Sequence, residues 1–382
     1  MGYLRLLLAI SVVFAHSSSA FGSSSALGLE FLPGNMAVEI FFMISGFYMS
    51  LILSGKYATR TLDGLGSFYM SRFLRLWPAF LLTTAVCHLL WIAAYVHLGR
   101  PPTSAGPVHE IINNAGVSAL MEMSNIFMIG QDVPALFHAS HETGARLTFG
   151  EGRMLPDGSI WLGNALNIGP AWSIGAEIWF YMLVPFLARL SSPLLFALLA
   201  ATGSLRYFMG EIHGLNIYFF FVTQLPLFLG GMLAHRLGSR KSRGVLARKE
   251  AAYLCLGLAV MASLMFGQFE FQDQRFKWLV YVLMGLTMHA LFTHVGNSRA
   301  GRIIGELSYP IYIVHMLALS VLAAIGKRAG IEITSEILLL AVLPVSYLMY
   351  VRIDKPIGRY RERFARRAEK QPEFPDGILA RP

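Results

Sequence analysis

Ten long apolar runs decide what this chain can become. They fall at about 4–21, 36–54, 73–97, 170–189, 193–209, 217–235, 250–267, 277–294, 304–325 and 335–352. A helix needs about 20 predominantly apolar residues to cross the hydrocarbon core of a bilayer. Each run is near that length, and the Gly, Pro and polar residues inside several of them are tolerated where neighbouring helices satisfy the backbone. Charge is too sparse for another fate: 14% of residues are charged, against roughly 25% in a typical soluble domain. That excludes an ordinary cytosolic enzyme, a disordered chain and a secreted disulfide scaffold. The expected fold is an all-α polytopic membrane helix bundle with about ten transmembrane helices. Cys87 and Cys255 both sit in apolar runs and read as small buried hydrophobes, not as a disulfide pair.

The net charge of +9 would suggest nucleic acid in a soluble protein. Here it is a topology signal. With the N-terminus inside, 23 of the 31 Lys and Arg residues fall on the inner face and eight on the outer. That asymmetry follows the positive-inside rule and places both termini in the cytoplasm. No nucleic-acid partner is expected. The first run, with Arg5 before it and Ser18-Ser19-Ala20 after it, also fits a cleaved signal peptide.

Ionisable groups inside the spans carry the functional reading, because lipid makes them expensive. His16 comes eleven residues after Arg5, about 16 Å deeper along a helix. Glu39 opens the second span, ahead of an aromatic pair and the small step Ser45-Gly46, which would admit a neighbouring helix or a ligand chain. Glu177 lies among aromatics in the fourth span, and His315 is a second intramembrane histidine. Buried carboxylates need partners. Arg72 and Arg75, at i and i+3, share one helix face and would clamp phosphate. Each of these has a plainer alternative. The histidines could be hydrogen-bonded within the bundle, Ser45-Gly46 could serve helix packing alone, and the arginines could be interfacial residues on lipid phosphates.

The segment from about 98 to 168 is long and carries His109, Asp132, His138, His141, Glu142 and Asp157. It reads as a cover or binding loop on the outer face. The His138/His141 pair lacks evident supporting ligands, so no metal site is expected.

Together these pieces resemble the acyltransferase 3 family of integral membrane acyltransferases. The carriers are Arg5-x10-His16, GNMAVEIFFMISGF from Gly34, SRFLRLWPAF from Ser71, AWSIGAEIWFYMLVPF from Ala171 and LSYPIYIVH up to His315, in that order over nearly the whole chain. Family members often carry acidic and glycine residues before the arginine, and Asp where this chain has Glu39. The resemblance implies transfer of an acyl group, usually acetyl, from acyl-CoA across the membrane to a hydroxyl of an extracytoplasmic or lipid-linked glycan. It implies that His16 is the catalytic base and Arg5 its support, and it argues against cleavage near Ala20, which would remove both. Acyl-CoA is then a co-substrate, with no permanently bound cofactor.

On this reading a transmembrane acyltransferase domain spans residues 1–353, and a basic cytoplasmic tail, 354–382, follows a stand-alone core. The catalytic set is His16, Arg5, Glu39 and Glu177, with either carboxylate able to orient the imidazole. Arg72, Arg75, Ser45 and Gly46 would hold acyl-CoA. Partners are acyl-CoA, a glycan or lipid-linked saccharide and membrane lipid. The expected location is a bacterial inner membrane, and a homodimer is left open. An N-acceptor is a lesser alternative to an O-acceptor. The rival class is a transporter or permease, which ten spans and buried ionisable groups also suit, although no internal repeat is evident.

Overall fold

The computed structural model describes residues 1–21, 25–26, 29–55, 62–99, 115–139, 147–149, 160–212, 218–240, 274–295 and 299–369, with isolated positions between 250 and 261. The helices are α1 (Gly2–Phe21), α2 (Gly34–Leu53), α3 (Leu62–Leu98), α4 (Ala115–Phe127), α5 (Trp172–Leu187), α6 (Ser192–Tyr207), α7 (Phe221–Arg240), α8 (Gln274–Val295), α9 (Arg299–Ala329), α10 (Ser335–Met349) and α11 (Lys355–Glu369). Nine of the ten apolar runs lie on helices; the seventh, 250–267, falls largely outside the described residues, as does Cys255. Among the described residues, six helices are individually long and apolar enough to cross a membrane. The chain is a multi-pass helix bundle. Among the described residues, short strand pairings occur in the connections: β1 (Ser25–Ala26) with β2 (Leu29–Glu30), and β3 (Phe137–Ala139) flanked by β4 (Leu147–Phe149) and β5 (Ile160–Trp161), all antiparallel.

Helix α2 is the centre. It is buried on almost every side, from Met36 through Phe42 and Phe47 to Ser50, as expected of a helix that is apolar all round. It packs against α1, α5, α7 and α8. Its contact with α7 is a reciprocal glycine approach: a Cβ on Gly46 would overlap the Phe228 carbonyl, and one on Gly231 would overlap that of Met43. Such small residues let backbones meet where lipid supplies no hydrophobic drive between helices. At its start, α1 meets α9 in the same way, through Gly2 against Gly301 and Gly305. Around this core, α3, α6, α8 and α10 expose apolar side chains such as Leu89, Val96, Phe196, Val282 and Leu340. That belt is a cost in water and the natural surface in lipid.

Described parts of the long segment pack against α3 and the start of α5. Trp77 Nε1 donates to the Ile126 carbonyl at 3.0 Å, tying α4 to α3, and Trp161 Nε1 donates to the Ala135 carbonyl at 2.9 Å. Residues 128–133 sit on the first turn of α5. There Gly175 leaves room for the Asp132 backbone, and Trp179 Nε1 donates to Asp132 Oδ1 at 3.1 Å. Burial pushes the Asp132 carboxyl up to about 6. His109, His141, Glu142 and Asp157 lie outside the described residues, and His138 is described only as part of β3.

Candidate functional site

A cavity of about 580 Å³ lies among α1, α2, α3, α5, α8, α9 and α11. This lies within the roughly 300–1,000 Å³ typical of small-molecule sites. Five arginines line it: Arg5 from α1, Arg72 and Arg75 from α3, Arg302 from α9 and Arg361 from α11. The sequence assigned all five to one membrane face, and the fold brings them to one space. Only two glutamates, Glu177 and Glu306, accompany them. Guanidinium groups crowded in a partly desolvated space demand an anion, and bidentate N–H groups suit phosphate.

The arginines are not equivalent. Arg75 forms an ion pair with Glu306, lies 3.9 Å from the Asp354 carboxylate, and packs over the Tyr309 ring. Much of its charge is therefore answered within the protein. Arg72 donates weakly to Ser71 Oγ at 3.3 Å, while its buried Nε has no hydrogen-bond partner. A buried charged donor left idle is costly, so Arg72 is the better prepared of the pair to meet a ligand.

Of the cavity's charged residues, the sequence singled out Arg5, Arg72, Arg75 and Glu177, but not Arg302, Arg361 or Glu306. Within the basic segment that follows α10, residues 355–369 form α11, which packs along α3. The signal was present: Ile353, Ile357 and Phe364 recur at helical spacing along one partly buried stripe. Arg361 is directed inward beside that stripe.

Ser45 and Gly46 divide between two roles. Ser45 faces the cavity and donates to Glu177 Oε1 at 2.7 Å, where Tyr181 also donates at 2.5 Å. Gly46 points the other way, into the α7 backbone, so the space reserved there for a ligand chain is filled by a helix. The carboxylates divide as well. Glu177 lines the cavity. Glu39 does not: it is buried in a cluster with Arg206 and Tyr281, while Arg206 also donates to Gln224 Oε1 at 3.0 Å and packs over Trp278. This cluster joins α2, α6, α7 and α8.

His16 lies beyond the cavity, along α1 from Arg5. Its ring stands 5.3 Å, centroid to centroid, from that of His315 on α9. Tyr312 links the two regions. It lines the cavity, its hydroxyl meets Ser173 Oγ at 2.7 Å, and its ring lies 5.9 Å from that of His315. His289, near the end of α8, packs against Phe47 with Gly238 beneath it. Cys87 is a half-buried free thiol on α3. No group of three potential metal ligands occurs among the described residues.

A bundle with apolar side chains on its outside, an arginine-lined cavity and a pair of histidines on α1 and α9 has the makeup of an integral membrane protein. The chain belongs to the acyltransferase 3 family: the model of that family's acyltransferase domain matches residues 1–351 of the 382. It is a membrane acyltransferase. Among curated proteins, "Protein 2 in picA locus" of Rhizobium radiobacter is 27% identical over 178 residues, covering 46% of this chain and 74% of that protein. No solved structure matches the chain.

Proposed function

We propose that this acyltransferase moves an acyl group, normally acetyl, from cytoplasmic acyl-CoA to a hydroxyl of an extracytoplasmic or lipid-linked glycan, with His16 as general base. The observation that carries the reading is the alignment on α1. Arg5 sits in the arginine-lined cavity, and His16 follows eleven residues later, about 16 Å along the helix. A CoA molecule has the matching shape, with its phosphates at one end and its thioester at the end of a long thin arm.

The phosphates pair with Arg5, Arg72, Arg302 and Arg361, with Arg75 held by Glu306 at their side. The arm runs past Ser45, Glu177 and Tyr312 toward the histidines. Acyl-CoA is made in the cytoplasm, so the arginine-rich end faces inward and both termini lie there, in a bacterial inner membrane. The positive cavity steers the anionic co-substrate to its mouth.

His16 then takes the proton of the acceptor hydroxyl as its oxygen attacks the thioester carbonyl. The C–S bond breaks, and the imidazolium returns the proton to the departing thiolate. General-base help of this kind is worth about 10²–10⁴-fold. Native membranes carrying the full chain, supplied with labelled acetyl-CoA, give the test. His16→Ala should lose label transfer to the glycan fraction by about 100-fold or more while still binding CoA. Undiminished transfer would remove His16 from the reaction.

A further inference from the structure

We propose that His315 is a positioning residue for His16: its Nε2 accepts a hydrogen bond from the His16 ring and so fixes which His16 nitrogen meets the acceptor hydroxyl. This rests on the assignment of His16 as the base. Four observations lead to it.

His315 is fully buried. Its Nδ1 lies 3.3 Å from the Ile311 carbonyl oxygen, one turn earlier in α9. A carbonyl oxygen only accepts, so Nδ1 carries the proton and the neutral ring keeps a lone pair on Nε2. That Nε2 is buried and has no hydrogen-bond partner. In a native core such an orphan acceptor calls for an explanation, since most buried polar groups are satisfied. The adjacent ring is His16, at 5.3 Å between centroids and tilted by 39°. Ring nitrogens stand about 1 Å from their centroids, so at this separation a rotation of the His16 ring brings one of its nitrogens within hydrogen-bond length of Nε2, a contact not made in this structure. Hydrogen bonds of catalytic groups are commonly long before substrate binds and tighten in the reacting complex.

The consequence is a defined tautomer. One His16 nitrogen donates its N–H to His315 Nε2, which leaves the other bare and able to take a proton. When His16 becomes an imidazolium, its N–H still has a neutral acceptor, and His315 itself gains and loses nothing. The role expected of Glu39 or Glu177 is thus filled by an imidazole. Glu39 is engaged by Arg206 and Tyr281, and Glu177 by Ser45 and Tyr181.

Three variants test this in native membranes with labelled acetyl-CoA. In His315→Gln the amide oxygen can stand where Nε2 stands. In His315→Asn the shorter amide reaches the Ile311 carbonyl but not His16. His315→Leu has neither group. The Asn and Leu variants should lose at least about tenfold in kcat with KM for acetyl-CoA within twofold, and Gln should recover most of that loss. Equal activity in Gln and Asn, or wild-type kcat in Leu, overturns the proposal. CoA binding and melting temperature identify a misfolded variant, and the Gln–Asn comparison still decides if Leu does not fold. Activity retained in His16→Ala would defeat the base assignment itself; an inactive His16→Ala beside a fully active His315→Asn would defeat only the role of His315.

Discussion

Glu39 and Arg206 set the hardest condition on single residues in this protein. Their side chains are nearly inaccessible and meet across 167 positions of sequence, with Tyr281 on the second carboxylate oxygen. Removing one partner strands the other charge in a medium that cannot solvate it, a loss of about 3–5 kcal/mol. Glu39→Ala should therefore lower the melting temperature in detergent sharply, and pairing it with Arg206→Met should restore much of the loss. The sequence made Glu39 conspicuous as an acid in lipid. It could not name the partner, because Arg206 lies 167 positions further along the chain. Arg72 is the opposite case: its orphaned Nε is buried without cost recovery, as suits a group waiting for an anion.

At the scale of elements, glycines and a docked loop set the helix positions. Gly2 lets α1 close onto α9, which brings Arg5 into the cavity and His16 beside His315. Residues 128–133 hold the start of α5 through Asp132, whose folded pKa is raised by burial to about 6 from an ordinary value of 3.8. The native state then binds a proton that the unfolded chain has already released between those values. Its contribution is full below pH about 4 and lost as pH rises to about 6. Asp132→Asn keeps the oxygen that accepts from Trp179 and removes the titration. The variant should match the wild type at pH ~3 and melt at a higher temperature than it at pH 7.5, measured by thermal unfolding in detergent. Proximity of Asp132 to Trp179 was not readable from the sequence, where they are 47 residues apart.

For the whole molecule, the decisive feature is convergence of charge. Five arginines from four helices share one space with two glutamates, one of which already pairs with Arg75. Arg361 tests whether α11 belongs to the site. A charge-assisted hydrogen bond contributes about 1.5–3 kcal/mol, so Arg361→Ala should weaken CoA binding about tenfold or more by calorimetry, with little change in melting temperature. Added salt should shrink the difference, because the cavity is open to solvent and its charges are partly screened. Unchanged affinity would place α11 outside the binding surface.

The sequence by itself determined the membrane class and singled out the cavity's Arg5, Arg72 and Arg75 and the two histidines. These follow from local quantities: apolar run length, charge placement and residues too polar for lipid to leave unexplained. Only the tertiary structure decided which groups meet. It turned Ser45 inward and Gly46 onto α7, tied Glu39 to Arg206 rather than to a histidine, folded a basic tail into α11, and set His315 against His16. Helical periodicity fixes which face a residue occupies, but not which neighbour that face receives. In lipid that choice falls to close packing at small residues and to the pairing of buried charges, both of which join parts of the chain far apart in sequence.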